Sequence, residues 1–309
     1  MVSYFIRRLL AMIPVFFIVS GVVFLIVHLV PGDPVDNMMS VGASVTQRAE
    51  IIARYGLDRS LTEQYFTWLN NIVHGDLGMA IVMRRPVADL IMSNLGYSLA
   101  LGGWALMFSA VAGVLAGTIA ASFQNRWIDH SLMGVSLLGS TMPTFWLGLL
   151  MIMLFAVELG WVPVSGARHW TSLILPAITV GLSGMALVAR VTRISMIEIA
   201  REDFVMLLHA KGLSRWTIQI RHILRHALIP VVTILSLRIG LIVGGSVTVE
   251  YVFARPGLGS LLIRALAQRD YPLIQGCLLF LAIAVMLGTL LGDLLQAAMD
   301  PRQREEAAQ

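Results

Sequence analysis

Residues 9–30 read LLAMIPVFFIVSGVVFLIVHLV, an unbroken apolar run behind the pair Arg7-Arg8. At about 1.5 Å per helical residue it reaches roughly 33 Å, enough to cross the hydrocarbon core of a bilayer. A secretory leader carries a shorter apolar region, about 7–15 residues, ending at a small-x-small cleavage site. This run is longer and ends in His28-Leu29-Val30-Pro31-Gly32-Asp33-Pro34. It reads as an uncleaved first membrane helix that starts in the cytoplasm. Five further apolar blocks follow, at Tyr97–Ser122, Ser131–Leu159, Leu173–Val191, Leu228–Val249 and Leu273–Met299. The expected fold is an all-α integral membrane protein of about six transmembrane helices. The fourth block is the weakest, being short and interrupted by Pro176.

Composition supports the same class. Of 309 residues, 57% are hydrophobic and 13% charged, about half the charge of a soluble domain. Mean hydropathy is +0.80. A net charge of +4 raises the question of nucleic acid, but Lys211 is the single lysine and the arginines flank apolar blocks. No basic run is interleaved with aromatics as a nucleic-acid surface requires. The partner implied is the lipid bilayer, not nucleic acid. A cytoplasmic start puts Arg7, Arg8, Arg126, Arg190, Arg193, Arg201, Lys211, Arg215, Arg221, Arg225, Arg302 and Arg304 inside. Arg168, Arg255, Arg264 and Arg269 then fall outside. This asymmetry predicts both termini in the cytoplasm. The one cysteine, Cys277, excludes an intramolecular disulfide.

Residues 31–95 form the main hydrophilic stretch. Two capping boxes, Ser44-x-x-Gln47 and Ser60-x-x-Glu63, predict helix starts. Behind the second, Leu61, Tyr65, Trp68, Leu69 and Ile72 share one helical stripe, better suited to packing on the membrane domain than to lying at the interface. Gly75-Asp76-Leu77-Gly78 reads as a turn, and Pro86 as the first residue of a short helix back to the membrane. The pairs Gly113/Gly117 and Gly240/Gly244 suit close helix packing.

Residues 194–226 are too polar to span and too apolar for a plain linker. Ile194, Ile197, Phe204, Val205 and Leu208 predict one amphipathic helix, closed by Lys211 in its last turn and Gly212 at its C-cap. Ser214 then caps a second helix carrying Trp216, Ile220 and Leu224. Two short helices around a glycine turn make a knob. The residues alone leave it either docked in another protein's groove or lying on lipid.

Asp203-Phe204-Val205 followed by Ala210-Lys211-Gly212-Leu213 resembles the EAA loop of binding-protein-dependent ABC transporter permeases, in their dipeptide/oligopeptide/nickel branch. The same branch is matched by Pro31-Gly32-Asp33-Pro34, Tyr55-Gly56-Leu57-Asp58, Gly75-Asp76-Leu77-Gly78 and Pro143-Thr144-Phe145-Trp146. It is matched again by Arg221-His222, Ala227-Leu228-Ile229-Pro230, Glu250-x-Val252-Phe253-x-x-Pro256-Gly257-Leu258-Gly259 and Arg269-Asp270-Tyr271-Pro272. The ordered set runs from about residue 4 to Pro301, although the family's glutamate-alanine-alanine start is absent. The resemblance implies a type I ABC importer permease, divided into a first helix with a periplasmic helical segment (1–95), a five-helix core (96–300) with a coupling loop at 194–226, and a cytoplasmic tail (301–309). It implies that Asp203, Ala210, Lys211, Gly212 and Leu213 carry the contact to separate ATPase subunits, of one or two kinds. Further partners would be a homologous second permease and a periplasmic substrate-binding protein, in a bacterial inner membrane. Solutes of this branch include peptides, glutathione, nickel chelates, opines and oligosaccharides.

The chain carries no motor. A P-loop needs a glycine-rich loop ending in Lys-Ser or Lys-Thr, and the sole lysine is followed by Gly212. No cofactor is expected on this chain, ATP and Mg being used by the partner subunits. His222 and His226 share a helical face, but Arg221 and Arg225 beside them repel a cation and no carboxylate joins them. His28 is expected to hydrogen-bond to the Pro31–Pro34 turn. Arg238 falls near the middle of the fifth block, where lipid exposure costs at least ~3 kcal/mol. It is expected to line the translocation path and meet an anionic group such as a peptide carboxylate. The other reading is a pair with Glu250, Glu158 or the second permease. Glu250 is expected in a turn where the fifth helix leaves the membrane, near the outer gate. The rival function is a secondary transporter or channel acting alone, which usually buries carboxylates for ion coupling. Only Glu158 and Asp293 lie within the blocks, besides Glu250 at a boundary. An intramembrane enzyme is weaker still, with no nucleophile–base pair in the blocks.

Overall fold

The computed structural model describes residues 2–29, 46, 58–167 and 169–299, and among these the chain is helical with no strand. The Pro31–Pro34 turn, the cap at Ser44–Gln47, the motif start at Tyr55 and the side chain of His28 lie outside the described residues. Helix α1 (Val2–Leu29) is the first span. Helix α2 (Leu61–Val73) opens on the expected reciprocal cap: the Ser60 amide donates to the Glu63 carboxylate at 3.2 Å, and the Glu63 amide to the Ser60 hydroxyl at 3.3 Å. Part of its stripe packs on α1, while Leu61 stays exposed. Tyr65 Oη lies 2.9 Å from Ser20 Oγ, and the Phe24 ring sits 5.5 Å from Tyr65 and 5.9 Å from Trp68.

The Gly75–Gly78 turn forms as expected, with the Gly78 amide donating to Asp76 at 2.8 Å. Beyond Pro86, the short helix and the second span are one element, α3 (Val87–Ser122), 36 residues long. Nothing between Val87 and Ser122 removes an amide or a carbonyl partner, so the helix has no reason to stop.

The third block, expected as one span, is broken. Helix α4 (Trp127–Thr141) and α5 (Thr144–Met151), which continues as a π-helical stretch Ile152–Glu158, meet at 111°. Pro143 is the cause. A proline pushes its predecessor out of helical conformation, and Met142 has φ −71 and ψ 137.

The fourth block reverses expectation more fully. Helix α6 (Ile174–Ile199) is 26 residues long and lies at the centre, against α3, α4 and the fifth span. Pro176 sits in its first turn, where a missing amide costs nothing. The amphipathic stripe expected from Ile194 to Leu208 is split: α6 ends at Ile199, and α7 (Asp203–Ala210) is a separate helix. Glu202 is extended (ψ 147), and Asp203 supplies an acidic first turn that suits a new helix start. The second knob helix is not short either. Arg215–Thr217 runs through a π-helical turn, Ile218–Ile223, into α8 (Leu224–Gly245) without a break. Then come α9 (Val247–Val252), α10 (Leu258–Gln268) and α11 (Tyr271–Met299). Among the described residues five helices are long and apolar enough to cross a membrane, six when the bent pair counts as one span.

Glycines set the tightest contacts. A Cβ at Gly117 would meet the Ala189 carbonyl at 2.5 Å, and one at Gly113 would meet Val188 at 2.7 Å, so the α3 pair forms a groove for α6. On α8, a Cβ at Gly240 would lie 2.5 Å from Thr289 of α11; the surroundings of Gly244 lie outside the described residues. Gly240 against Gly288 and Ser236 against Gly292 make α8 and α11 antiparallel. The start of α8 therefore lies at the same end as Asp293, which pairs with Arg8 at 2.9 Å. The α7 knob, the start of α1 and the end of α11 share that end of the bundle.

Candidate functional site

At the knob end, α7 is built to present side chains outward. Only Val205 is buried, within a small core of Met196, Ile218, Ile223 and Ala227. Around it Phe204, Met206, Leu207, Leu213 and Trp216 are exposed, Met206 at 73% and Trp216 at 64%. A solvated knob buries such residues; this surface has its apolar groups aimed away from the chain. The turn closes as the residues predict. Gly212 has φ +77, its amide donates to the His209 carbonyl at 2.9 Å, and the Leu213 amide reaches Leu208 at 3.3 Å. Ser214 caps the next helix through the Thr217 amide at 3.3 Å. Ala210, Lys211, Gly212 and Leu213 thus form one contiguous exposed corner. Asp203, also exposed, stands at the other end of α7, about 12 Å away by helical rise.

Two contacts brace the bundle beside the knob. The Ser122 hydroxyl, at the end of α3, donates to Gln219 at 3.2 Å. Asp129, in the first turn of α4 and 1% exposed, accepts two hydrogen bonds of 2.6 Å from Arg193 near the end of α6, and a third from the Asn125 amide at 2.9 Å. This bidentate pair was not visible as a pair in the sequence, because Arg193 sat in a cationic run and Asp129 beside a loop.

Arg238 lies deep in the bundle. It is half-buried, and its guanidinium occupies the notch left by Gly184 of α6, beside Ser109 of α3. Ser109 spends its proton on the Gly181 carbonyl at 2.6 Å. Among the described residues Arg238 makes no hydrogen bond or ion pair. The pairings with Glu250 and Glu158 considered above do not form within the chain: Glu158 is exposed, and Glu250 is engaged elsewhere.

Glu250 is not at the edge of a turn but inside α9 and fully buried. Its carboxylate accepts the Ser98 hydroxyl at 2.6 Å, the Gly259 amide at 2.8 Å, the Ser260 amide at 3.2 Å and the Ser246 hydroxyl at 3.3 Å. It thereby caps the start of α10 from a neighbouring helix and ties it to α3. A Cβ at Gly257 would collide with that carboxylate. Asp270 plays the same part at the start of α11, its carboxylate accepting the Val82 amide at 2.9 Å and the Leu273 amide at 3.4 Å. These two acids lock the end of the bundle opposite the knob. No group of three or more metal-ligating side chains occurs among the described residues, the pair His222 and His226 included.

Comparison with known proteins agrees along the whole chain. Residues 113–305 match the family described as binding-protein-dependent transport system inner membrane component, and residues 1–102 its N-terminal counterpart. The chain is similar to the glutathione transport system permease protein GsiC of Escherichia coli strain K12, at 42% identity over 98% of this chain and 99% of that protein. It is 41% identical, with the same coverage, to the GsiC of Shigella boydii serotype 4 strain Sb227. Its fold is similar to a subunit of the MetNI methionine ABC transporter in an inward-facing conformation, with a TM-score of 0.58, 19% identity and coverage of 68% of this chain and 96% of that one.

Proposed function

The chain belongs to the family of binding-protein-dependent transport system inner membrane components, and from that premise we propose that it forms half of the path of an ATP-driven importer for peptides or a similar small solute. As an ABC importer permease subunit it is a multi-pass protein of the inner membrane, and its work is transport. Glutathione is one solute within the proposed class, by similarity to the GsiC proteins.

The observation that carries the reading is the exposed α7 corner. Phe204, Met206, Leu207 and Trp216 offer an apolar face at the end of a rigid unit, and a helix in a partner's groove uses such a face. We assign Asp203, Ala210, Lys211, Gly212 and Leu213 to the contact with one or two kinds of ATPase subunit, which hold the ATP and Mg. The knob end is then cytoplasmic, with both termini. From Ser214 the chain runs helical to Gly245 past Arg238, so a push on the knob reaches the middle of the membrane through one rod. Arg238 lines the path, and Glu250 holds its outer end in position. The second permease is a homologue, and a periplasmic substrate-binding protein delivers solute to the far end.

The test is a mild-detergent pull-down of the tagged chain from its own host, read by mass spectrometry. Recovery of a second permease and one or two P-loop ATPases is expected. Gly212→Val, which strains a left-handed turn, should release the ATPases while keeping the second permease. A chain that comes down alone and moves solute in ATP-free vesicles is a stand-alone transporter, and the importer reading is then wrong.

A further inference from the structure

Among the described residues two guanidiniums, one half-buried and one buried, carry no carboxylate. Arg238 sits at mid-depth in the Gly184 notch, as described. Arg255 follows α9 at the far end and is only 6% exposed. Its Nε is buried with no hydrogen-bond partner. One Nη donates to the Gly166 carbonyl at a long 3.4 Å, and the guanidinium carbon stands 5.9 Å from the centre of the Tyr97 ring. Glu250 is the nearby acid, and its charge acts on Arg255. Yet both Glu250 oxygens are taken by Ser98, Ser246, Gly259 and Ser260, and no ion pair forms. A buried guanidinium left in this state is unfavourable unless something else completes it.

What covers Arg255 is one short loop. The loop 160–166 closes over it, held by backbone hydrogen bonds from the Trp161 amide to the Phe155 carbonyl at 3.0 Å and from the Gly166 amide to the Phe253 carbonyl at 3.2 Å, by Val162 packed on the core that includes Phe253, and by the long Arg255 contact. Its two ends are glycines in the left-handed region, Gly160 at φ +62 and Gly166 at φ +94. Between them Trp161 and Val164 are exposed. Lifting only its Gly166 end breaks one backbone hydrogen bond and the long Arg255 contact, and uncovers the free edge of a guanidinium.

Both arginines rest against α3, one beside Tyr97 and the other beside Ser109. These α3 residues are about 18 Å apart along the helix at 1.5 Å per residue. The geometry points to a two-station anion path. Arg255, uncovered when the 160–166 loop lifts, takes the carboxylate of an incoming solute, and Arg238 takes it next at mid-depth. The importer therefore selects solutes bearing a free carboxylate, such as the C-terminus of a short peptide. This rests on the importer reading above. A guanidinium presents a planar fork that matches a carboxylate. One such group per station balances a single negative charge, whereas a phosphate dianion would leave charge uncompensated.

The experiment uses host cells lacking this chain, complemented with the wild type, Arg255→Gln or Arg238→Gln. They are fed an equimolar mixture of di- and tripeptides, the C-terminal amides of the same peptides, and glutathione. Depletion from the medium is followed by mass spectrometry. Wild type should import free acids over amides by tenfold or more, and each variant should bring that ratio down towards one. The subunit composition recovered by pull-down should not change. A ratio near one in wild type, an unchanged ratio in both variants, or loss of the second permease from Arg238→Gln would overturn the anion path and leave the importer standing. Failure of wild type to import any form would remove the peptide-importer reading and this path with it.

Discussion

Helices α1 and α6 both cross the membrane, and they do so in opposite ways. In α1 only 17% of the spanning window is buried inside the molecule, against 61% in α6. The more apolar helix is the peripheral one. Its side chains Ile6, Leu10, Ile13, Phe17 and Ile18 are all more than two-fifths exposed and face outward. Helix α6 buries Thr179, Gly181, Gly184, Ala189 and Thr192, small or polar residues that let α3 approach closely. Apolar density in a membrane chain thus reports how much lipid a helix meets. It says little about how much of the bundle depends on that helix.

The largest expected effect lies on the α6 side. Asp129→Ala leaves the partly exposed Arg193 guanidinium without its bidentate partner, and should cost about 3 kcal/mol. The thermal midpoint and monodispersity of detergent-purified protein would show it; an unchanged midpoint would break the contrast between the two helices. Next is Gly117→Ala, whose methyl group must displace the Ala189 carbonyl. Overpacking of this kind should destabilise by about 1–3 kcal/mol. On the α1 side, Ser20→Ala removes the hydroxyl that meets Tyr65, and a loss of about 0.5–1.5 kcal/mol is expected, read as loosened protease protection of α2. Smallest, and of opposite sign, is Gly21→Ala. Nothing lies within 4 Å of a Cβ there, so better helix propensity should stabilise by up to about 1 kcal/mol. Equal effects from the two glycine variants would show that α1 is packed as tightly as α6.

Much of the fold was legible because the bilayer imposes a length on each span, and the blocks met it. The caps at Ser60, Gly212 and Ser214 were legible too, since each depends on neighbours in the chain. What escaped depends on contacts distant in sequence. The apolar count undervalued α6, because Thr192 and Arg193 cut short the block that the helix continues through. The break at Pro143 was present in the letters, but membrane proline is often tolerated, and only packing decides between a kink and a turn of 111°. Of the candidate residues, the corner Ala210–Leu213 is contiguous in sequence and therefore readable. Glu250 was expected in a turn after the fifth span and lies instead inside α9, in surroundings the sequence could not show because Ser98 and Ser260 come from other helices. Arg255 counted only as an outer charge. Its orphaned Nε has no signature in sequence.

The groove made by Gly113 and Gly117 also has a consequence in time. Chains emerge from the ribosome at about 5–20 residues per second, so α3 is complete some seconds before α6 appears. When α6 leaves the exit tunnel, its charged end and its small-residue face can meet a surface already waiting. The central helix is then delivered to a prepared berth, and the order of synthesis favours the pairing on which the bundle is built.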